Sequence, residues 1–174
     1  MATMLSIGSW MEVIGEVTRE IASTALNFES PQVELAGGLI QSGMIGAYLP
    51  ISTPDRQMQV GLLSTESGCQ VLGKALLGME PGEPDLDAPD LADAISEIVN
   101  VLAGAIKRKV HGQVDLKLGL PLFVNGSVQP TAHVHFFTAT LHLGSTEALV
   151  LLAEPTSASE PRMNPRESAK RVVQ

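Results

Sequence analysis

Residues 89–110 read PDLADAISEIVNVLAGAIKRKV. Leu91, Ile95, Ile98, Leu102 and Ile106 recur there at steps of four, three, four and four, the spacing of one apolar helical stripe. Asp93, Glu97, Asn100 and Gly104 repeat the same steps two residues on and so lie along a second stripe. On it a carboxylate and a carboxamide, Glu97 and Asn100, stand one turn apart on a rigid element, away from the core. The helix has signals at both ends. Pro89 suits the first turn, with Asp87 or Ala88 as N-cap; Lys107, Arg108, Lys109 and His111 complement the dipole at the far end, and Gly112 permits a left-handed stop.

Working towards the N-terminus, Glu80 to Asp90 carries five acids and no Lys or Arg, interrupted by Pro81, Pro84 and Pro89. The prolines and the lack of an alternating ligand pattern argue against a calcium loop, so the stretch reads as a solvated linker. Before it, Thr65 and Gly78 bracket a helix from about Glu66 to Leu77. Cys69 on that helix reads as a small core residue, with no histidine near it in sequence to activate it. Met44 to Ser52 and Gln57 to Ser64 are strand candidates joined through the Pro54-Asp55 turn. Residues 9 to 27 carry Trp10, Ile14, Val17 and Ile21 on one stripe and read as an amphipathic helix with Ser9 as N-cap; the glutamates opposite are a solvated face.

Towards the C-terminus, Val114 to Leu120 alternates until Pro121 interrupts it. Leu122 to Val124 follows, and Ala132 to Leu143 and Glu147 to Leu152 give two further strands. Five to seven strands and three helices, the helices lying before and between the strand groups, predict a two-layer α/β (α+β) fold with helices packed on a mostly antiparallel sheet. The expected domain covers residues 1–154. Residues 155–174, with three prolines, read as a flexible basic tail.

The totals exclude several classes. The 174 residues fit one domain, and with 44% hydrophobic residues but only 3% aromatic ones its core must be aliphatic. Net charge is -8, with +2 on residues 160–174 and therefore -10 on the rest, which disfavours nucleic acid or an anionic membrane as partner. One cysteine excludes an intramolecular disulfide. The N-terminus shows no signal-peptide pattern, and no uncharged apolar run reaches the roughly 18 residues of a spanning helix, so a soluble cytoplasmic protein is expected. His133 and His135 on one strand face could chelate a metal, but no carboxylate or thiol supports them in that segment, and no metal site is expected. Nucleotide-binding and nucleophile-elbow motifs are missing.

On pattern alone, Asp93, Glu97 and Asn100 are an ordinary solvated helix face. The run Asp93-Ala-Ile-Ser-Glu97-Ile-Val-Asn100, followed by Val-Leu-Ala-Gly-Ala and later by Leu-Gly-Leu-Pro121, resembles the phosphatase motif of the CheC, CheX and FliY group: an acid or serine, E-x-x-N, then a downstream proline. The order of elements around it resembles the CheX-like branch, over roughly Trp10 to Ala153. The first helix carries no second E-x-x-N, so the resemblance implies a single site.

The resemblance implies a protein phosphatase acting on the phospho-aspartate of a CheY-type response-regulator receiver, as a homodimer. Asn100 would orient the attacking water, and Glu97 would pair with the receiver's active-site lysine. Asp93, Gly104 and Ala103 would belong to the partner-binding surface, the two small residues leaving room for another backbone unless they serve helix packing instead. No cofactor is expected on this chain; Mg2+ would be held by the partner receiver. The alternative is a non-catalytic CheX-like dimeric adaptor that binds a receiver or a flagellar component.

Overall fold

The computed structural model describes residues 5–35, 38–126 and 131–156. Two hairpins form the middle of its sheet. The Pro54-Asp55 turn joins β2 (Ile45–Ser52) to β3 (Gln57–Ser64), which pair without a break from Ile45 opposite Ser64 to Ser52 opposite Gln57. Gly144, at φ 63°, sits in the turn between β6 (Val134–Leu143) and β7 (Thr146–Pro155). That left-handed angle is one that glycine adopts without penalty. β7 pairs with β3, β1 (Gln32–Glu34) lies on β6, and β4 (Lys117–Leu118) and β5 (Leu122–Val124) both lie on the outer side of β2. Every pairing is antiparallel, as the two-layer α/β reading expected.

The strand expected over Val114 to Leu120 shrinks to two residues for a visible reason. Gly119 donates its N–H to the Pro50 carbonyl at 2.7 Å and packs against the Pro50 ring, and Pro121 has no N–H to continue the ladder. Pairing resumes at Leu122 opposite Tyr48. The expected tail began at residue 155, but β7 runs through Pro155; residues 157–174 lie outside the described residues.

Among the described residues three helices complete the layer: α1 (Ile7–Thr24), α2 (Glu66–Leu76) and α3 (Ala88–Lys109). The first starts earlier than expected because Ser6, not Ser9, is the N-cap, its hydroxyl accepting from the Ser9 N–H at 3.1 Å. Thr65 caps α2 and Asp87 caps α3 in the same way. Trp10 and Ile14 of α1, Leu72 of α2 and Ile95, Ile98, Leu102 and Ile106 of α3 join Leu49, Val60, Val150 and Leu152 of the sheet in one cluster. Alternate residues of the same strands, Leu63, Leu149, Leu151 and Ala153, form a smaller cluster with Ile40, Met44 and Phe136.

The acidic linker is tethered where the sequence predicted a solvated one. Gln70 closes two 2.9 Å hydrogen bonds on Leu86, its amide donating to the carbonyl and its oxygen accepting from the N–H. The Lys74 ammonium, its side chain only 10% exposed, donates to the Glu83 carbonyl at 2.8 Å and to Asp85 at 2.7 Å. Two residues later Asp87 begins α3, so α2 sets the point at which that helix starts.

Ile95 is fully buried at the centre of this packing. Truncation there leaves a cavity, and Ile95→Ala is expected to lower the unfolding free energy by about 2–5 kcal/mol in urea denaturation. A loss below about 1 kcal/mol would show that α3 is not held by its apolar stripe.

Candidate functional site

Alpha-helical periodicity places the stripes of α3 as expected. Leu91, Ile95, Ile98, Leu102 and Ile106 are buried; Asp93, Glu97 and Asn100 are exposed, and Gly104 is partly so. Across one turn Asn100 donates through Nδ2 to Glu97 Oε2 at 3.4 Å. Among the described residues neither Asp93 nor Glu97 has an ion-pair partner, whereas the cationic end of the helix is engaged: Lys109 meets Glu16 of α1 at 2.7 Å. That hydrogen bond, reinforced by the charge of Glu16, raises the Lys109 pKa.

The two small residues part company. Ala103 is fully buried, 0% exposed, so its size serves packing inside the fold, and the expectation that it contacts a partner is corrected. Gly104 is different: a Cβ built there would meet only Arg108 Nη1, at 3.8 Å. Internal packing therefore does not require a glycine, although glycine within a helix costs roughly 0.5–1 kcal/mol relative to alanine.

The remaining candidates fall away from this face. Cys69 is 1% exposed beneath β2, its Sγ 3.6 Å from the Ile45 carbonyl. Burial pushes its thiol up to about 12, outweighing the backbone hydrogen bond from Ser64 that lowers it, and the charge of Glu66 adds to the rise. His133 lies in the turn before β6, so it does not share a strand with His135 as expected. His142, seven residues beyond His135, stands between Glu147, 3.0 Å from Nδ1, and Glu34, 3.6 Å from Nε2, partners that sequence spacing did not supply. Only the register of β1, β6 and β7 reveals that cluster. Among the described residues no three His, Cys, Asp or Glu side chains come together as a metal site. No helix among them is long and apolar enough to cross a membrane.

A cavity of about 410 Å³, lined by Pro50, Gln59, Val134, Ala153 and Pro155 among others, contains none of Asp93, Glu97, Asn100 and Gly104. Those four residues lie along an exposed helix surface. Small ligands are usually held in concave sites; this face instead carries two acids, an amide and a gap on an open helix surface.

Comparison with known proteins places this helix-on-sheet fold. A family model described as chemotaxis phosphatase CheX matches residues 53–140, just over half of the chain and including all of α3, and the chain belongs to that family. Among solved structures, the chemotaxis protein CheX from Vibrio vulnificus superposes with a TM-score of 0.66 at 15% identity, covering 86% of this chain and 98% of that one. A chain of the CheX-CheY-BeF3-Mg complex from Borrelia burgdorferi is similar with a TM-score of 0.60 at 11% identity, covering 84% of this chain and 97% of that one. The FliM middle domain from Vibrio alginolyticus also shares the fold, with a TM-score of 0.57 at 10% identity, covering 84% and 90%. No curated protein matches the chain significantly by sequence.

The shifted thiol makes a pH prediction. Its folded pKa, about 12, lies above the ordinary 9.0, so its contribution to stability is complete below pH 9 and is lost as pH rises towards 12. The stability advantage of the wild type over Cys69→Ala is expected to shrink between pH 8 and 11 in denaturant titrations. A constant difference over that range would show that the thiol is not buried as described.

Proposed function

We propose that the chain dephosphorylates the phospho-aspartate of a CheY-type receiver domain, with Glu97 and Asn100 of α3 as its working residues. The observation that carries this is the exposure of both side chains, one turn apart, on a helix whose opposite face is locked in the core, within the segment matched by the CheX family. An acyl phosphate is already reactive, and Mg2+ on the receiver would neutralise charge at the phosphoryl group. The phosphatase then needs mainly to place a water in line. The water oxygen bonds to phosphorus as the phosphorus–carboxylate bond breaks. The receiver's carboxylate leaves with the bonding pair, and the water's proton passes to phosphate or solvent.

Asn100 cannot act as a base at neutral pH, but its carboxamide oxygen can accept from that water and fix its direction. Glu97 supplies the one acceptor-only group beside it and would pair with the receiver's lysine. Such a pair would be partly removed from water, so losing one partner, which leaves the other unpaired, costs more than breaking an exposed pair. Asp93 adds negative charge one turn earlier. Gly104, with only the Arg108 guanidinium near where a side chain would be, gives the receiver's backbone room to approach. The homodimer implied by the resemblance belongs to the same proposal.

The fold shared with FliM favours one competing function, a non-catalytic adaptor that binds a receiver without hydrolysis. Phosphate release from a magnesium-loaded, phosphorylated receiver distinguishes the two. Asn100→Ala is expected to bind the receiver and lower release towards the receiver's own rate, by about 100-fold or more if water placement carries the catalysis. Glu97→Lys is expected to weaken binding itself. Unaltered release by Asn100→Ala would remove the catalytic assignment, and binding without acceleration in the wild type would establish the adaptor.

Gly104 gives a separate check. Gly104→Ala is expected to stabilise the free chain by about 0.5–1 kcal/mol. Gly104→Leu should fold equally well and bind the receiver more weakly in calorimetry; undiminished affinity would take Gly104 out of the interface.

A further inference from the structure

The two ends of a carboxamide are not equivalent for the chemistry proposed above. With its oxygen outward, Asn100 accepts a hydrogen bond from water and leaves the water's lone pair directed at phosphorus. With its NH2 outward, the amide donates to that lone pair and occupies the electrons needed for attack. Something must hold the correct orientation on an exposed surface. In the free chain Nδ2 donates to Glu97 Oε2 at 3.4 Å, which turns Oδ1 to the opposite side of the amide. A flipped amide would set its oxygen against an acceptor-only carboxylate, so the neighbour discriminates between the two states by attraction in one and repulsion in the other.

The arrangement follows from the E-x-x-N spacing. Residues three apart on a helix are neighbours, and a glutamate reaches the amide of the following turn without distorting the backbone. The carboxylate also has two oxygens. Oε2 receives the amide, and Oε1 has no hydrogen-bond partner among the described residues, leaving it for a cation on the docking protein.

We infer that Glu97 is a positioning residue for Asn100, selecting the amide rotamer that presents Oδ1 to water, in addition to its contact with the receiver. This rests on the phosphatase reading above. The two functions of Glu97 separate because Glu97→Gln loses the charge but keeps an oxygen that can accept from Nδ2, whereas Glu97→Ala loses both.

The test compares turnover at saturating phosphorylated receiver with the receiver concentration giving half-maximal rate. Both Glu97 variants should need about tenfold more receiver, but only Glu97→Ala should lose turnover, by about tenfold, while Glu97→Gln stays within about twofold of wild type. With Asn100→Ala already present, adding Glu97→Ala should lower turnover no further, the signature of two residues acting through one group. In the free chain, the side-chain amide resonances of Asn100 should move in Glu97→Ala and hold near their positions in Glu97→Gln.

Equal turnover for the two Glu97 variants, beside an inactive Asn100→Ala, would overturn the positioning role and leave the phosphatase reading intact. Undiminished turnover in Asn100→Ala would overturn that reading itself, and this inference with it.

Discussion

Burial of the apolar stripe on α3 decides where every other side chain of that helix points. A helix turns by about 100° per residue, so once Ile95, Ile98, Leu102 and Ile106 are fixed against β2, α1 and the neighbouring elements, the direction of every other side chain on α3 is fixed with them. Asp93, Glu97, Asn100 and Gly104 face outward as the geometric complement of that packing. No loop adjusts them. A site on a helix anchored along 22 residues varies little in orientation, which suits the proposed placement of one water in line with a bond in another molecule.

Rotation about the axis is only one of the two coordinates that matter; position along it is the other. That is set at the start of α3, where Gln70 holds both backbone groups of Leu86 and Lys74 gathers Glu83 and Asp85. Charge placed there serves to fasten the linker, with Lys74 enclosed by acceptors as a nearly buried ammonium must be. At the other end Lys109 ties α3 to Glu16 of α1. An exposed pair of that kind contributes little stability and serves better as an orienting contact.

Much of this was legible in the sequence because periodicity reports burial directly. The two stripes of α3, the β2–β3 hairpin and the limits of α2 follow from apolar spacing and cap residues alone. The failures have physical causes. Ser6 and Ser9 are both sound N-caps; the helix begins at the earlier one, with Ile7 and Trp10 both packed on the core. Strand β1 is three residues long and has too little pattern to detect, so the His142 cluster it completes was out of reach. Ala103 and Gly104 are adjacent small residues, yet one lies under the helix and the other on its open side; a 100° step separates packing from access. The pairing of Glu97 with Asn100 was implicit in their spacing, but the direction of the amide was not.

The proposed function requires the outward stripe of α3 to meet the receiver. Its most direct test is chemical-shift mapping of the isotope-labelled chain titrated with a CheY-type receiver held in its activated form by beryllofluoride and Mg2+. The largest changes are expected to fall between Asp93 and Gly104 and to include the Asn100 side-chain amide. Binding that leaves this segment unperturbed and shifts another surface would contradict it.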